Sequence, residues 1–302
     1  MPTPYDPAMR PLRRHRPLTS VPAVLALSVA GLAACAPAED EPETSGQTAS
    51  AEECAVEDLP LHEEGVLTVA TDKPAYEPWF VDNDPTNGKG YESAVAYAVA
   101  EEMGFSEDQV KWVTVGFNSS YKPGEKDFDF DINQISITPE REEVVDFSDG
   151  YYQAAQAVIT LEDSPVADVT TIEELAGYRL GAQTGTTSLT AIRDVIQPEQ
   201  DPLVFEDTNA AKQAMQNGQV DAILADLPTA FYISAVEIPN STLVGQFQPE
   251  TGEQEEFGLL FEQGNELLPC VNGALERLKE DGTLAELEEK WLSDVVSVPE
   301  LS

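Results

Sequence analysis

Apolar runs without helical spacing alternate with segments of helical periodicity along most of the chain. The runs predict buried strands at 66–70, 110–115, 154–161, 178–182 and 219–226. Apolar residues that recur every three or four positions predict helices at 92–103, 188–196 and 209–217, and a helix pair follows Cys270. The region before residue 63 lacks such patterning, so the predicted folded part begins there.

The first 34 residues have the pattern of a signal peptide. Four arginines between residues 10 and 16 precede an apolar stretch at 21–34, which is too short to span a bilayer. Residues 32–35, Leu-Ala-Ala-Cys, resemble a lipobox, which implies lipidation of Cys35. The alternative is a secreted protein with an accidental cysteine. Residues 35–62 are then the lipidated N-terminus and a tether rich in Pro, Glu, Ala, Ser and Thr, predicted to be disordered.

Acidic residues greatly outnumber basic ones. The chain has 16 Lys and Arg against 56 Asp and Glu, a formal net charge of −40. Removing residues 1–34 takes away four arginines and one aspartate, which leaves 12 basic and 55 acidic residues, or 43 net negative charges. This charge argues against nucleic acid and anionic membrane surfaces as partners.

Two cysteines remain if Cys35 is lipidated. Outside the membrane, an even number of cysteines predicts a disulfide, here between Cys54 and Cys270. Two buried free thiols are the alternative. Because the mature chain would keep only His62 and no free thiol, nucleophilic and metal chemistry are not expected.

A lone arginine follows the end of a predicted strand. The apolar run from Phe130 breaks at Thr138-Pro139, which is a typical start of a helix. Arg141 then lies in the first helical turn, where a cation is unfavourable unless an anion is bound nearby. Arg141 is therefore a candidate anion receptor, although pairing with Glu142 or Glu143 is an alternative.

The first predicted strand leads into a loop rich in proline and aromatic residues. Asp72 opens this loop, and two prolines exclude a helix over residues 73–80. Loops after the carboxyl ends of strands are where open α/β sheets bind ligands. We assign Tyr76 and Trp79 to a pocket and Phe80 to the hydrophobic core.

Two further strand ends carry polar residues. The strand at 178–182 leads to Gly185-Thr186-Thr187, a turn that offers backbone N–H groups and hydroxyls to an anion or simply caps a helix. Asp226 closes the strand at 219–226 and is either a ligand-binding acid or a helix cap.

The segments ITPER, VDFSDGYY and VDAILADLPTAFY, in this order, resemble the family 3 extracellular solute-binding proteins, the polar amino acid receptors of bacterial ABC importers. The resemblance covers roughly residues 64–293. It implies an α/β, two-lobed, type II periplasmic-binding-protein-like fold, in which each lobe is a mixed β-sheet flanked by helices and a two-strand hinge joins the lobes. Lobe 1 would comprise 63–153 and 250–302, and lobe 2 would comprise 154–249.

The resemblance also implies roles for particular residues. Arg141 would bind the α-carboxylate of the ligand, and Asp226 would bind its α-ammonium. The remaining implied ligand-binding residues are Thr186, Thr187, Ser136, Gln134, Asp72, Tyr76, Trp79 and Phe117. The sequence departs from the family at 116–129, where turn residues replace an apolar helix, and at Asn133 and Gln134, so ligand identity is not carried over.

The implied function is that of a monomeric, lipid-anchored binding protein on the extracellular face of the membrane. An amino acid would close the hinge, and the closed form would contact the permease subunits of an ABC importer. No cofactor or metal is implied, and the membrane is contacted through the lipid alone. Two alternatives are a dehydratase of the same fold, with Glu92 or Asp72 as acid or base, and a sensory ligand-binding domain.

Overall fold

The structure is a computed structural model that describes residues 54–248, 254–292 and 298–301. The predicted signal peptide, Cys35 and most of the predicted tether lie outside the described residues. Within the described part, no helix is both long enough and apolar enough to cross a membrane.

The described chain contains twelve strands and eight α-helices. The strands are β1 Leu67–Thr71, β2 Val110–Thr114, β3 Phe130–Asp131, β4 Asp146–Phe147, β5 Tyr152–Ala154, β6 Gln156–Leu161, β7 Leu180–Gln183, β8 Leu203–Phe205, β9 Ala222–Asp226, β10 Ser241–Phe247, β11 Glu255–Phe257 and β12 Leu260–Phe261. The helices are α1 Tyr91–Glu102, α2 Phe117–Ser120, α3 Pro139–Glu142, α4 Thr187–Ala191, α5 Thr208–Gln216, α6 Leu227–Tyr232, α7 Leu268–Glu280 and α8 Thr283–Leu292. Single π-helical turns extend α4 to Ile196 and α6 to Glu237.

The strands form two separate five-stranded sheets, each of which defines a lobe. The first lobe has the order β2-β1-β3-β12-β4, with β1 parallel to β2 and β3. The second lobe has the order β10-β6-β9-β7-β8, with β7 parallel to β8 and β9. Strands β12 and β6 run antiparallel to their neighbours, so both sheets are mixed.

The apolar faces of the helices explain how each lobe is held together. In the first lobe, Val95 and Val99 of α1 are fully buried in one cluster with Leu275 of α7. In the second lobe, separate clusters cover the two faces of the sheet. Both faces of the central strands of the second sheet are therefore buried, as their continuous apolar runs predict.

A two-stranded sheet connects the lobes. Strand β5 pairs with β11 in antiparallel register, and Ala154 faces Glu255. A single residue, Ala155, separates β5 from β6 of the second lobe. The predicted strand at 154–161 corresponds to β6 and overlaps β5 only at Ala154.

The chain end departs from the predicted lobe boundaries. Residues 298–301 were predicted to belong to lobe 1, but they pair with β10 of the second lobe. The Gln246 N–H donates to the Pro299 carbonyl at 2.8 Å, and the Leu301 N–H donates to the Gln246 carbonyl at 2.9 Å. The Leu301 side chain is buried in the core of that lobe. The prediction is wrong here because the sequence pattern near the end does not distinguish the two sheets.

Cys54 and Cys270 form a disulfide with a Cα–Cα distance of 5.6 Å. Cys270 lies in the first turns of α7, and Cys54 is the first described residue. The bond therefore joins the segment before β1 to a helix packed on α1, across a sequence separation of 216.

Candidate functional site

A narrow cleft that is partly open to solvent lies between the two lobes. Both lobes contribute side chains to its walls. The lining residues are Asp72, Tyr76, Phe117, Asn133, Gln134, Ser136, Arg141, Gln183, Thr186, Thr187, Ser188, Thr208, Leu224, Ala225, Asp226 and Thr229. Nine of the ten predicted ligand-binding residues are in this set, and Trp79 is the exception.

Arg141 lies on the first-lobe wall. Pro139 starts α3, and the Thr138 hydroxyl caps it by accepting from the Arg141 N–H at 3.3 Å. The guanidinium donates from Nη1 to the Ser136 carbonyl at 2.6 Å and from Nη2 to the Gly185 carbonyl of the second lobe at 3.0 Å. In the described chain Arg141 forms no salt bridge, so neither Glu142 nor Glu143 neutralises it.

Two aromatic rings enclose the same guanidinium. The Arg141 Cζ lies 5.6 Å from the Phe117 ring centroid and 5.1 Å from that of Tyr121, within the range of cation–π attraction. Arg141 is 8% exposed, and burial lowers its pKa from the usual value, against the opposing effect of Tyr121. Guanidinium nevertheless stays charged at this site because its ordinary pKa is so high. A buried cation that has no carboxylate partner among the described residues is suited to bind an anion.

Asp226 lies on the opposite wall, at the end of β9. Its Oδ1 accepts from Gln156 Nε2 at 3.1 Å. Burial raises its pKa well above the ordinary value, and the nearby Glu255 raises it further. Although Asp226 is the N-cap residue of α6, its side chain makes no capping hydrogen bond, so the helix-cap alternative does not explain it. The carboxylate is available to a cation in the cleft.

The turn before α4 brings the second lobe against Arg141. Gly185 has φ of +76°, and a Cβ there would lie 2.0 Å from Asn118 Oδ1. Glycine is therefore required for this close approach of the lobes. The Thr186 hydroxyl caps α4 by accepting from the Leu189 N–H at 3.2 Å, and Thr187 Oγ1 lies 3.3 Å from Ser136 Oγ.

The cleft wall also holds buried polar groups for which the described residues provide no hydrogen-bond partner. The Tyr76 hydroxyl and Asn133 Nδ2 are buried and have no hydrogen-bond partner among the described residues. Asp72 accepts from the Lys73 N–H at 2.6 Å and from the Phe117 N–H at 3.2 Å, so it also fixes the start of α2. Helix α2 forms although the sequence there suggested only turns. This part of the wall can hydrogen-bond a polar side chain of a ligand.

Trp79 does not line the cleft, so its predicted role as a wall residue is wrong. Its side chain is fully buried in the first lobe, against Tyr91 and the hinge residues Tyr152 and Phe257. The indole N–H donates to Thr229 Oγ1 of the second lobe at 2.7 Å. Trp79 therefore lies behind the wall and connects the lobes. Phe80 is in the core, as predicted.

Glu92, considered as an acid or base, is enclosed behind the cleft. It is fully buried, and burial raises its pKa to about 7. Its carboxylate accepts from the Gln134 N–H at 2.6 Å, from the Gln134 side chain and from the Tyr151 hydroxyl. Gln134 has φ of +48°, an uncommon conformation outside glycine. Glu92 thus fixes the backbone that precedes Ser136.

Sequence reasoning missed two buried polar residues beside the cleft, Gln156 and Glu255. Gln156 is fully buried, and Glu255 is 9% exposed. A glutamine at the start of an otherwise apolar run was a signal that could have identified Gln156. Glu255 gave no such signal, because it lies in an acidic stretch of an acidic chain.

Two lobes in contact, a two-strand hinge and a charged cleft between them define a type II periplasmic-type binding protein. Over residues 67–294 the chain matches the bacterial extracellular solute-binding proteins, family 3, and it belongs to that family.

Relatives and solved structures agree with this membership. The L-cystine-binding protein TcyA of Bacillus subtilis is 31% identical over 284 residues, which cover 90% of this chain and 96% of the relative. The glutamine-binding protein GlnH of Bacillus subtilis is 29% identical, over 70% of this chain and 76% of the relative. The structure of an ancestral arginine-binding protein bound to arginine is 30% identical, with a TM-score of 0.64, and covers 76% of this chain and 98% of that one.

Proposed function

We propose that this protein binds a polar amino acid in the cleft and delivers it to an ABC importer. The observation that carries the proposal is the placement of Arg141 and Asp226 on opposite walls of one cleft. An amino acid zwitterion carries both opposite charges on neighbouring groups. The relatives named for cystine, glutamine and arginine support the same ligand class.

Arg141 binds the α-carboxylate of the ligand in this proposal. Its two Nη atoms donate to the Ser136 and Gly185 carbonyls, and their remaining N–H groups form a two-point pair with the carboxylate. The Thr187 hydroxyl, which lies 3.3 Å from Ser136 Oγ of the first lobe, adds a hydrogen bond to the same group. These contacts come from both lobes, so the ligand stabilises the closed form.

Asp226 binds the α-ammonium, and the ligand side chain extends toward Asp72, Tyr76 and Asn133. The free Tyr76 hydroxyl and Asn133 amide favour a side chain that carries hydrogen-bonding atoms. The Asp72 carboxylate adds a preference for polar or cationic groups.

The location and partners follow from the proposed role. Lipidation at Cys35 anchors the protein to the extracellular face of the membrane, and a monomer in the closed form contacts the permease subunits. Of the two residues that the dehydratase alternative could use as acid or base, Glu92 is buried behind the cleft and only Asp72 lines it.

Thermal unfolding in the presence of each proteinogenic amino acid tests the proposal. A ligand at about one hundred times its Kd stabilises the fold by about 2.7 kcal/mol. For a protein of this size that free energy raises Tm by roughly 5–10 °C. We expect one or a few polar amino acids to produce this shift.

Arg141→Ala is the informative variant, and Arg193→Ala is its matched control, because Arg193 lies on the surface of the second lobe. The shift should disappear in the first variant and persist in the second. If no amino acid shifts Tm, the proposed ligand class is wrong.

A further inference from the structure

A buried side-chain network connects the second-lobe wall of the cleft to the hinge. Gln156, the first residue of β6, is fully buried. Its Oε1 accepts from Ser188 Oγ at 2.5 Å, which orients the amide so that Nε2 faces the carboxylates. Nε2 lies 2.9 Å from Glu255 Oε2 and 3.1 Å from Asp226 Oδ1.

One amide group therefore serves two carboxylates, those of Glu255 and Asp226. An amide NH₂ has two hydrogens, and the two shortest contacts are those to Glu255 and Asp226, while Thr187 Oγ1 is farther away at 3.3 Å. Within the described residues, Gln156 is the sole donor to the Asp226 carboxylate. The orientation of that carboxylate thus depends on Gln156, and Oδ2 remains free.

The same network reaches the opposite wall through the hinge. Glu255 opens β11, and its Oε1 accepts from Ser136 Oγ. The Ser136 carbonyl in turn accepts from Arg141 Nη1 at 2.6 Å. A continuous chain of hydrogen bonds therefore links the cationic wall, the hinge strand and the acidic wall.

We propose that Gln156 is a positioning residue for Asp226: by holding Oδ1, and by separating Asp226 from Glu255, it directs the free oxygen toward the ammonium of the ligand. The inference rests on the proposed function, because it assumes that the ligand carries an ammonium group. Two adjacent buried carboxylates repel each other unless a donor lies between them or a proton is shared. Loss of Gln156 should therefore weaken recognition of the ammonium and leave recognition of the carboxylate by Arg141 intact.

The hinge offers a matched control on its solvent side. Gln153 of β5 is exposed, and its Nε2 lies 3.5 Å from Glu256 Oε1. Gln153→Leu, like Gln156→Leu, removes an amide beside a carboxylate of β11, but on β5 and away from the cleft.

Titration calorimetry of the wild type and both variants, with ligand pairs that differ only in the α-ammonium, tests the role. The pairs are L-arginine with δ-guanidinovaleric acid, L-glutamine with glutaramic acid, and L-cystine with dithiodipropionic acid. We expect Gln156→Leu to raise the Kd of the amino acid about tenfold or more and that of the deaminated partner less than about threefold. Gln153→Leu should change neither value.

Equal weakening of both partners of a pair, or no weakening of either, would overturn the positioning role. If Gln156→Leu does not fold, Gln156→Asn replaces it, because this variant keeps the amide but cannot reach both carboxylates. The increase in Kd for the amino acid is again compared with the increase for its deaminated partner. Failure of the proposed function shows separately, because the wild type would then bind none of the amino acids, and the positioning role would fall with it. If the wild type binds and the variant keeps the same ratio between the Kd of the deaminated compound and the Kd of the amino acid, the positioning role alone is wrong.

Discussion

Asp131 should make the protein less stable as pH rises toward neutrality. It is fully buried in the first lobe at the end of β3, and neither carboxylate oxygen has a hydrogen-bond partner among the described residues. Burial raises its pKa from 3.8 to about 8. The nearby Ser120 hydroxyl, which donates to the Phe117 carbonyl, and Lys126 oppose this shift, whereas the Glu92 and Asp72 carboxylates add to it. The folded protein therefore keeps a proton that the unfolded chain releases above about pH 4.

The sign follows from proton linkage. Between about pH 4 and pH 8 the folded state binds more protons than the unfolded state, so each added pH unit lowers the free energy of unfolding. A single group contributes at most about 1.4 kcal/mol per unit, or roughly 2.7 kcal/mol between pH 5 and pH 7. Stability from Asp131 is fully present below about pH 4 and is lost as pH approaches 8.

Asp131→Asn replaces the acid with a neutral group of similar size. The free energy of unfolding of the variant and of the wild type would be measured in urea at pH 5, 6, 7 and 8. The value for the variant minus that for the wild type should increase with each pH unit, by roughly 2–3 kcal/mol in total between pH 5 and pH 7. Asp127→Asn is the control, because Asp127 is exposed and four residues away. A difference between Asp131→Asn and wild type that does not change with pH would refute the reasoning.

Three further predictions concern the cleft, the contact between the lobes and the disulfide. Arg141→Lys keeps the charge but loses the two-point geometry, so calorimetry should show binding weakened by about 1.5–3 kcal/mol, and an unchanged Kd would contradict the proposed pair. Gly185→Ala places a Cβ 2.0 Å from Asn118 Oδ1 at φ of +76°, so the substitution should keep the lobes from approaching fully. With ligand present, small-angle scattering should therefore give a larger radius of gyration for the variant than for the wild type, and equal radii would be inconsistent with that close approach. Reduction of the Cys54–Cys270 disulfide should lower the free energy of unfolding by up to about 5 kcal/mol, which urea titrations with and without reductant would measure. An unchanged free energy of unfolding would contradict the idea that the bond stabilises the fold by restricting the unfolded chain.

The residues that sequence reasoning found are those fixed by local signals. Arg141 follows a threonine–proline helix start, and Asp226 ends an apolar strand, so each was recognisable without knowledge of the fold. Their proximity was not derivable from local patterns, because it depends on how two sheets meet. The resemblance to a family supplied that step.

The residues that sequence reasoning misplaced or missed are those whose positions depend on contacts between distant segments. Trp79 and Tyr76 share one loop, but Trp79 turns into the core because hinge aromatics contributed by β5 and β11 enclose it. Gln156 and Glu255 are 99 positions apart and meet at the hinge, where neither strand alone reveals a partner. Residues 298–301 join the second lobe through backbone pairing with β10, for which the side-chain pattern carries little information.

The most direct test of the central claim measures the two charges of the ligand separately. Calorimetry of the amino acid found in the unfolding screen, and of its decarboxylated and deaminated analogues, would be compared in wild type, Arg141→Ala and Asp226→Asn. The account predicts that Arg141→Ala weakens binding of the amino acid and of the deaminated analogue, but not of the decarboxylated analogue. Asp226→Asn should weaken binding of the amino acid and of the decarboxylated analogue, but not of the deaminated analogue. If both variants weaken all three compounds equally, Arg141 and Asp226 do not recognise separate charges and the zwitterion site is contradicted.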